Sequence, residues 1–213
     1  MARLIILDMD GTVFHHKNLW LELHKRLGTL DEGEKATREW LYKDYDKLVD
    51  IVIHHLWKGK PAQPYLDLVA EAEYLPGAKE AVAALKQKGY AIALISSGSD
   101  LLVKRAMDEL GIAYGAGNHL DIADDIITGR SQHADGTTMW LVRDDKRLVA
   151  ERFCAEAGCT LADAVAVGDE RNDLALFTAV GTSIAFNDAP DELKEAATHV
   201  VEGDDLRMIL KYL

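Results

Sequence analysis

The sequence predicts an α/β fold: a doubly wound parallel sheet with a small all-helical domain inserted after the first strand. Two observations carry this. Short runs of branched aliphatic residues alternate with amphipathic stretches, the pattern of strands buried on both faces by crossover helices. The segment from His15 to Pro76 has little strand pattern and keeps helical spacing instead, as at Leu48, Ile51, Val52, His55 and Leu56.

Arg3–Asp8 is the first strand candidate, a compact aliphatic run. Tyr90–Ser96, Ala164–Gly168 and Thr182–Phe186 repeat its pattern. Helices are expected over Gly77–Lys88, Asp100–Leu110, Lys146–Ala157 and Leu174–Ala179. Ile122–Thr128 and Thr138–Val142 flank a polar stretch with Asp135-Gly136, which reads as an antiparallel hairpin with a long loop. Pro61, Pro64 and Pro76 break the helical segment near its end. The expected division is therefore residues 1–14 and 77–213 as the α/β core, with 15–76 as the helical insertion.

At 213 residues the chain is long enough to bury a core without disulfides. Its formal net charge of −12 disfavours general binding to nucleic acid or anionic membranes. Cys154 and Cys159 form no CxxC pair, so reduced thiols are expected. There is no run of 18 apolar residues and no signal-peptide pattern; the expectation is a cytoplasmic protein.

Four polar clusters directly follow predicted strands or open predicted helices. Asp8-Met9-Asp10-Gly11-Thr12 places two carboxylates where an open parallel sheet binds ligands, although an Asp-Gly turn explains it as well. Ser96-Ser97-Gly98-Ser99 offers hydroxyls and backbone N–H groups to an anion, or a helix cap. Lys146 opens a helix against the macrodipole, which suits either an anionic ligand or a solvated charge run. Gly168-Asp169 through Asn172-Asp173 suits a hard cation, or an Asp cap. Together they offer a nucleophile, a proton donor, a Mg²⁺ ligand set and donors for phosphate oxygens, the parts that phosphoryl transfer needs.

These four motifs, in this order, resemble those of the haloacid dehalogenase (HAD) superfamily phosphatases, and most closely the phosphoserine phosphatase-like branch with its helical cap. The tail Asp205–Leu213 resembles that branch as well. The resemblance implies a Rossmann-like core and hydrolysis of a small phosphorylated metabolite through an aspartyl-phosphate. It implies that Asp8 is the nucleophile and Asp10 the acid/base. Mg²⁺ would be held by Asp8, the Asp10 carbonyl and Asp169, with Asp173 supporting the metal shell. Ser96, the Ser97 N–H, Lys146 and Asn172 would bind phosphate.

Two departures bear on substrate. Phosphoserine enzymes carry a Glu seven residues after the acid/base Asp, where this chain has Lys17, and a cap Arg, whereas no Arg occurs here between Arg38 and Arg105. Phosphoserine is therefore expected to be a poor substrate. His15, His16, Trp20 and Tyr45 are the other candidates to meet the leaving group, or to pack the insertion. A phosphoserine phosphatase proper, a phosphotransferase to an alcohol, and a non-catalytic phosphate-binding protein are the alternatives.

Overall fold

The computed structural model describes residues 4–16, 18–132 and 145–213. The elements run β1 (Leu4–Leu7), α1 (Leu19–Arg26), α2 (Leu30–Trp40), α3 (Tyr45–Val49), a π-helical segment Asp50–Trp57, α4 (Gln63–Glu71) and α5 (Ala78–Gln87). There follow β2 (Ala91–Ser99), α6 (Asp100–Leu110), β3 (Tyr114–Asn118), β4 (Ile122–Ala123), β5 (Ile126–Ile127) and α7 (Asp145–Glu156). β6 (Val165–Gly168), α8 (Leu174–Phe177), β7 (Thr182–Phe186), α9 (Asp191–Ala196), β8 (His199–Val201) and a 3₁₀ segment Leu206–Tyr212 complete the chain.

Six strands form one parallel sheet in the order β3-β2-β1-β6-β7-β8. The winding direction reverses at β1, so a crevice opens beyond the carboxyl ends of β1 and β6. Residue alternation explains why β1 is aliphatic throughout. Ile5 and Leu7 pack with Val82, Leu85 and Leu102 on one face, and Leu4 and Ile6 pack with Phe153, Cys154 and Leu176 on the other. Both faces are dry, so neither parity is polar.

Between β1 and α5 the described residues form helices and no strand. Asn18 caps α1 by accepting from the Leu21 N–H, and Asp44 caps α3 by accepting from that of Lys47. α3 passes without a break into the π-helical segment, which buries Val52, Ile53 and Trp57.

The predicted hairpin is corrected. Ile122–Thr128 is not one of its strands but holds a whole hairpin, with Ile122 opposite Ile127 and Ala123 opposite Ile126. Asp124 and Asp125 both adopt positive φ (51° and 60°), which closes a two-residue loop. Asp tolerates that conformation better than most residues, so no glycine marks the turn. The proposed second strand, Thr138–Val142, lies outside the described residues. The hairpin docks on the helical segment through Gly59 N–H to Ile127 O (2.9 Å) and Ala62 N–H to Asp125 O (2.8 Å).

Candidate active site

The site begins with the chain leaving β1. Asp8 still follows strand geometry, its N–H donating to Val167 O on β6. The chain then coils tightly: the Met9 carbonyl accepts from the N–H groups of Val13 and Phe14, both at 2.9 Å. Gly11 makes this turn with φ +77°, and a Cβ there would stand 2.0 Å from Asp169 Oδ2. Only glycine meets both demands.

Lys146, on the first turn of α7, is almost fully buried at 1% exposure. Its ammonium donates to Asp8 Oδ1 at 2.9 Å, Asp173 Oδ1 at 2.7 Å and Asn172 Oδ1 at 3.3 Å. Asp169 follows β6, and its Oδ1 accepts from the Thr12 hydroxyl at 3.0 Å. Asp8, Asp169 and Asp173 are all buried, and one carboxylate oxygen from each lies within 4.8 Å of the others.

Three buried carboxylates thus share one ammonium, which bonds two of them. Burial pushes the Asp8 carboxyl up to about 7, against the pull of Lys146 and with repulsion from Asp173 adding to it. Burial likewise pushes Asp169 up to about 9, helped by repulsion from Asp8 and Asp173. Burial works to lower the Lys146 value, but Asp173 and Asp8 outweigh it and hold the ammonium charged. This donor set fits a divalent cation: all-oxygen, concave, and short of positive charge in its absence.

Facing the carboxylates is the bend at the end of β2. Ser96 Oγ accepts from the Gly98 N–H at 2.8 Å, which leaves the hydroxyl proton free to donate. The Ser97 carbonyl is held from two sides, by Asn118 Nδ2 at 2.7 Å and by the Trp20 indole N–H at 2.8 Å. Asn172 Nδ2 donates to Ser97 Oγ at 3.1 Å, tying this bend to the turn after β6. Gly98 is required by proximity, since a Cβ there would meet Asp10 Oδ2 at 2.7 Å. A cleft of about 660 Å³ opens over these groups, lined by Asp8, Asp10, Ser96 and Asn172 below and by Trp20 and Tyr45 from the helical segment above.

The structure brings together Asp8, Asp10, Ser96, Ser97, Lys146, Asn172, Asp169 and Asp173. Lys17 lies outside the described residues. From sequence, Thr12 and Gly98 had no role of their own within their motifs and Asn118 was unmarked, and His16 was a candidate to meet the leaving group rather than a neighbour of Asp10. His16 Nε2 stands 3.0 Å from Asp10 Oδ1 without hydrogen-bond alignment, and both atoms are otherwise unpartnered among the described residues. Only the position of Thr12 and Gly98 within the motifs could have signalled them.

Residues 5–178 match the haloacid dehalogenase-like hydrolase family. The chain is 31% identical over 217 residues to a phosphoserine phosphatase of Methanocaldococcus jannaschii, covering 99% of this chain and 97% of that one. It is also 31% identical over 207 residues to a longer phosphoserine phosphatase of Archaeoglobus fulgidus, of which it spans 58%. Among solved structures, a phospho-aspartyl intermediate analogue of phosphoserine phosphatase superposes with a TM-score of 0.84 at 31% identity, covering 100% of this chain and 99% of that one. A substrate-bound phosphoserine phosphatase gives the same TM-score at 30% identity.

A doubly wound sheet carrying a carboxylate–lysine–serine site at its switch point thus defines the class, and the chain belongs to the haloacid dehalogenase-like hydrolase family. Within that family it is a phosphatase; such phosphatases generally use a divalent metal, and the Asp8, Asp169 and Asp173 cluster is present here to receive one.

Proposed function

We propose that the chain hydrolyses phosphomonoesters with Mg²⁺ as its metal and Asp8 as the nucleophile. The buried Lys146, gripping Asp8 and Asp173 at once, is the observation that carries this reading. A lysine so placed neutralises part of the carboxylate charge on the path of an incoming phosphate and fixes the Asp8 carboxylate. Asp8, Asp169 and the Asp10 carbonyl would hold the cation, with Asp173 orienting the cluster through Lys146. An oxygen-only donor set suits the small hard Mg²⁺. Bound there, the cation supplies charge compensation and polarises a phosphoryl oxygen.

Ser96 Oγ, the Ser97 N–H, Lys146 and Asn172 receive the phosphate oxygens. The Asp8 carboxylate attacks phosphorus while Asp10 gives its proton to the departing alcohol oxygen, leaving an aspartyl-phosphate. Asp10, now ionised, takes a proton from the water that attacks that phosphorus, and Asp8 departs as a carboxylate. Residues 15–76 act as the cap that covers the leaving group and excludes bulk water. Phosphate release from an aryl phosphate, measured with Mg²⁺ and with excess chelator, tests the reading. Turnover should need the metal, and Asp8→Asn should remove it by about 10³-fold or more. Equal rates with and without chelator would contradict the metal assignment.

A further inference from the structure

A second cavity, of about 540 Å³, lies within the helical segment among α1, α2, α3 and the π-helical segment. Its apolar lining comes chiefly from Leu21, Leu48, Val49, Val52 and Trp57, and Asn18, Glu34, Thr37 and Arg38 add polar groups. Asn18, Trp20, Leu41 and Tyr45 line both this cavity and the catalytic cleft, so the two chambers adjoin across shared side chains. Of its described lining residues only Glu34 and Arg38 carry formal charge, and both are exposed on α2.

One buried polar side chain is built into this chamber. His24 is buried at 4% exposure and lines it. The Trp57 indole N–H, which can only donate, points at His24 Nδ1 at 3.1 Å, so Nδ1 is the acceptor. The Thr29 hydroxyl sits at 2.8 Å from the same nitrogen. Trp57 and Thr29 thus hold the ring from the Nδ1 side. A concave chamber with a largely apolar lining and one buried polar side chain has the form of a small-molecule site.

The occupant follows from continuity with the cleft. Trp20 and Tyr45 line the catalytic cleft and the chamber alike, so a group leaving a phosphate bound at Ser96 and Lys146 would have the chamber beside it. We infer that this chamber receives the apolar part of the substrate's alcohol, so the enzyme prefers monophosphates of hydrophobic or aromatic alcohols over those of amino acids. This rests on the phosphatase reading above, and it assigns Val52, Trp57 and His24 as specificity-determining residues.

Two measurements keep the failure of each reading separate. The first is kcat/KM with Mg²⁺ for ethyl, butyl and hexyl phosphate and for L-phosphoserine. Each methylene entering the chamber should raise kcat/KM by about three- to fourfold, and phosphoserine should fall below hexyl phosphate. Val52→Phe, which narrows the chamber, should flatten that slope. A flat series, or phosphoserine as the better substrate, overturns the inference. The second is titration of the unphosphorylated alcohols, followed by tryptophan fluorescence from Trp20 and Trp57, which needs no turnover. Binding that tightens from ethanol to hexanol supports the inference, and indifference to chain length overturns it. If no ester is hydrolysed, the phosphatase reading fails and this titration alone decides the chamber.

Discussion

Lys146 is the residue on which the site's charge balance turns. Removing one partner from a buried ion cluster typically costs about 3–5 kcal/mol, because the partners left behind are uncompensated. Lys146→Met should therefore lower the melting temperature of metal-free protein and reduce activity by at least about a hundredfold. Mg²⁺ should recover part of the lost stability, since it supplies positive charge to the same carboxylates. An unchanged melting temperature would mean that the Asp8–Lys146–Asp173 contacts contribute nothing to folding. Gly11 makes a second residue-level case. Gly11→Ala adds strain at φ +77° and drives a methyl into Asp169. Metal titration should show weakened Mg²⁺ activation with the fold retained, and normal activation would separate Gly11 from the metal site. Asp10 is tested by leaving group: Asp10→Asn should slow alkyl phosphates more than phosphates of acidic phenols, because good leaving groups need no proton. A uniform loss across the series would leave Asp10 a positioning role only.

Among the elements, the helical segment is held by contacts that the sequence did not display. His24 sits at its centre between Thr29 and Trp57, with its ring lying against the backbone of Gly33. Burial lowers its value from 6.5 to about 4. The folded state thus resists protonating His24 while the unfolded chain accepts it. The contribution to stability is complete above about pH 6.5 and is lost as pH falls toward 4. Denaturant unfolding at pH 7 and pH 5 should show a smaller pH-dependent loss in His24→Gln than in the native protein; equal losses would place the titration elsewhere. The strands were readable to different degrees for physical reasons. β1 and β6 are aliphatic because both faces are buried, and β7 ends on the apolar run Ile184-Ala185-Phe186, so composition exposes them. β3 (Tyr-Gly-Ala-Gly-Asn) carries no such run, because Gly115 packs against Met107 and Val103 and Gly117 against the α6 terminus. Close approach of a helix replaces side-chain burial there, and the strand signal vanishes with it. The π-helical segment was equally hidden, since i→i+5 bonding over only eight residues leaves no apolar repeat distinct from that of an α-helix.

Across the molecule, the candidate site groups were legible because the topology makes them so. A sheet whose order reverses at β1 brings the carboxyl ends of β1, β2 and β6 to one crevice. Polar residues after those strands therefore stand out against aliphatic runs, and Asp8, Ser96 and Asp169 did. The supports were not legible: Asn118 and Trp20 reach Ser97 from β3 and α1, contacts set by packing across the fold rather than by a local pattern. The apolar chamber is hidden for the same reason, since a lining leucine and a packed leucine look alike in sequence. Covalent chemistry at Asp8 is the step on which the other proposed roles depend. Enzyme turning over an aryl phosphate with Mg²⁺ can be quenched with borohydride, which reduces an aspartyl-phosphate to homoserine, and then mapped by peptide mass spectrometry. Homoserine at position 8, absent without substrate and absent in Asp8→Asn, is the predicted result. Brisk turnover with Asp8 unmodified, or modification at Asp10 instead, would contradict it.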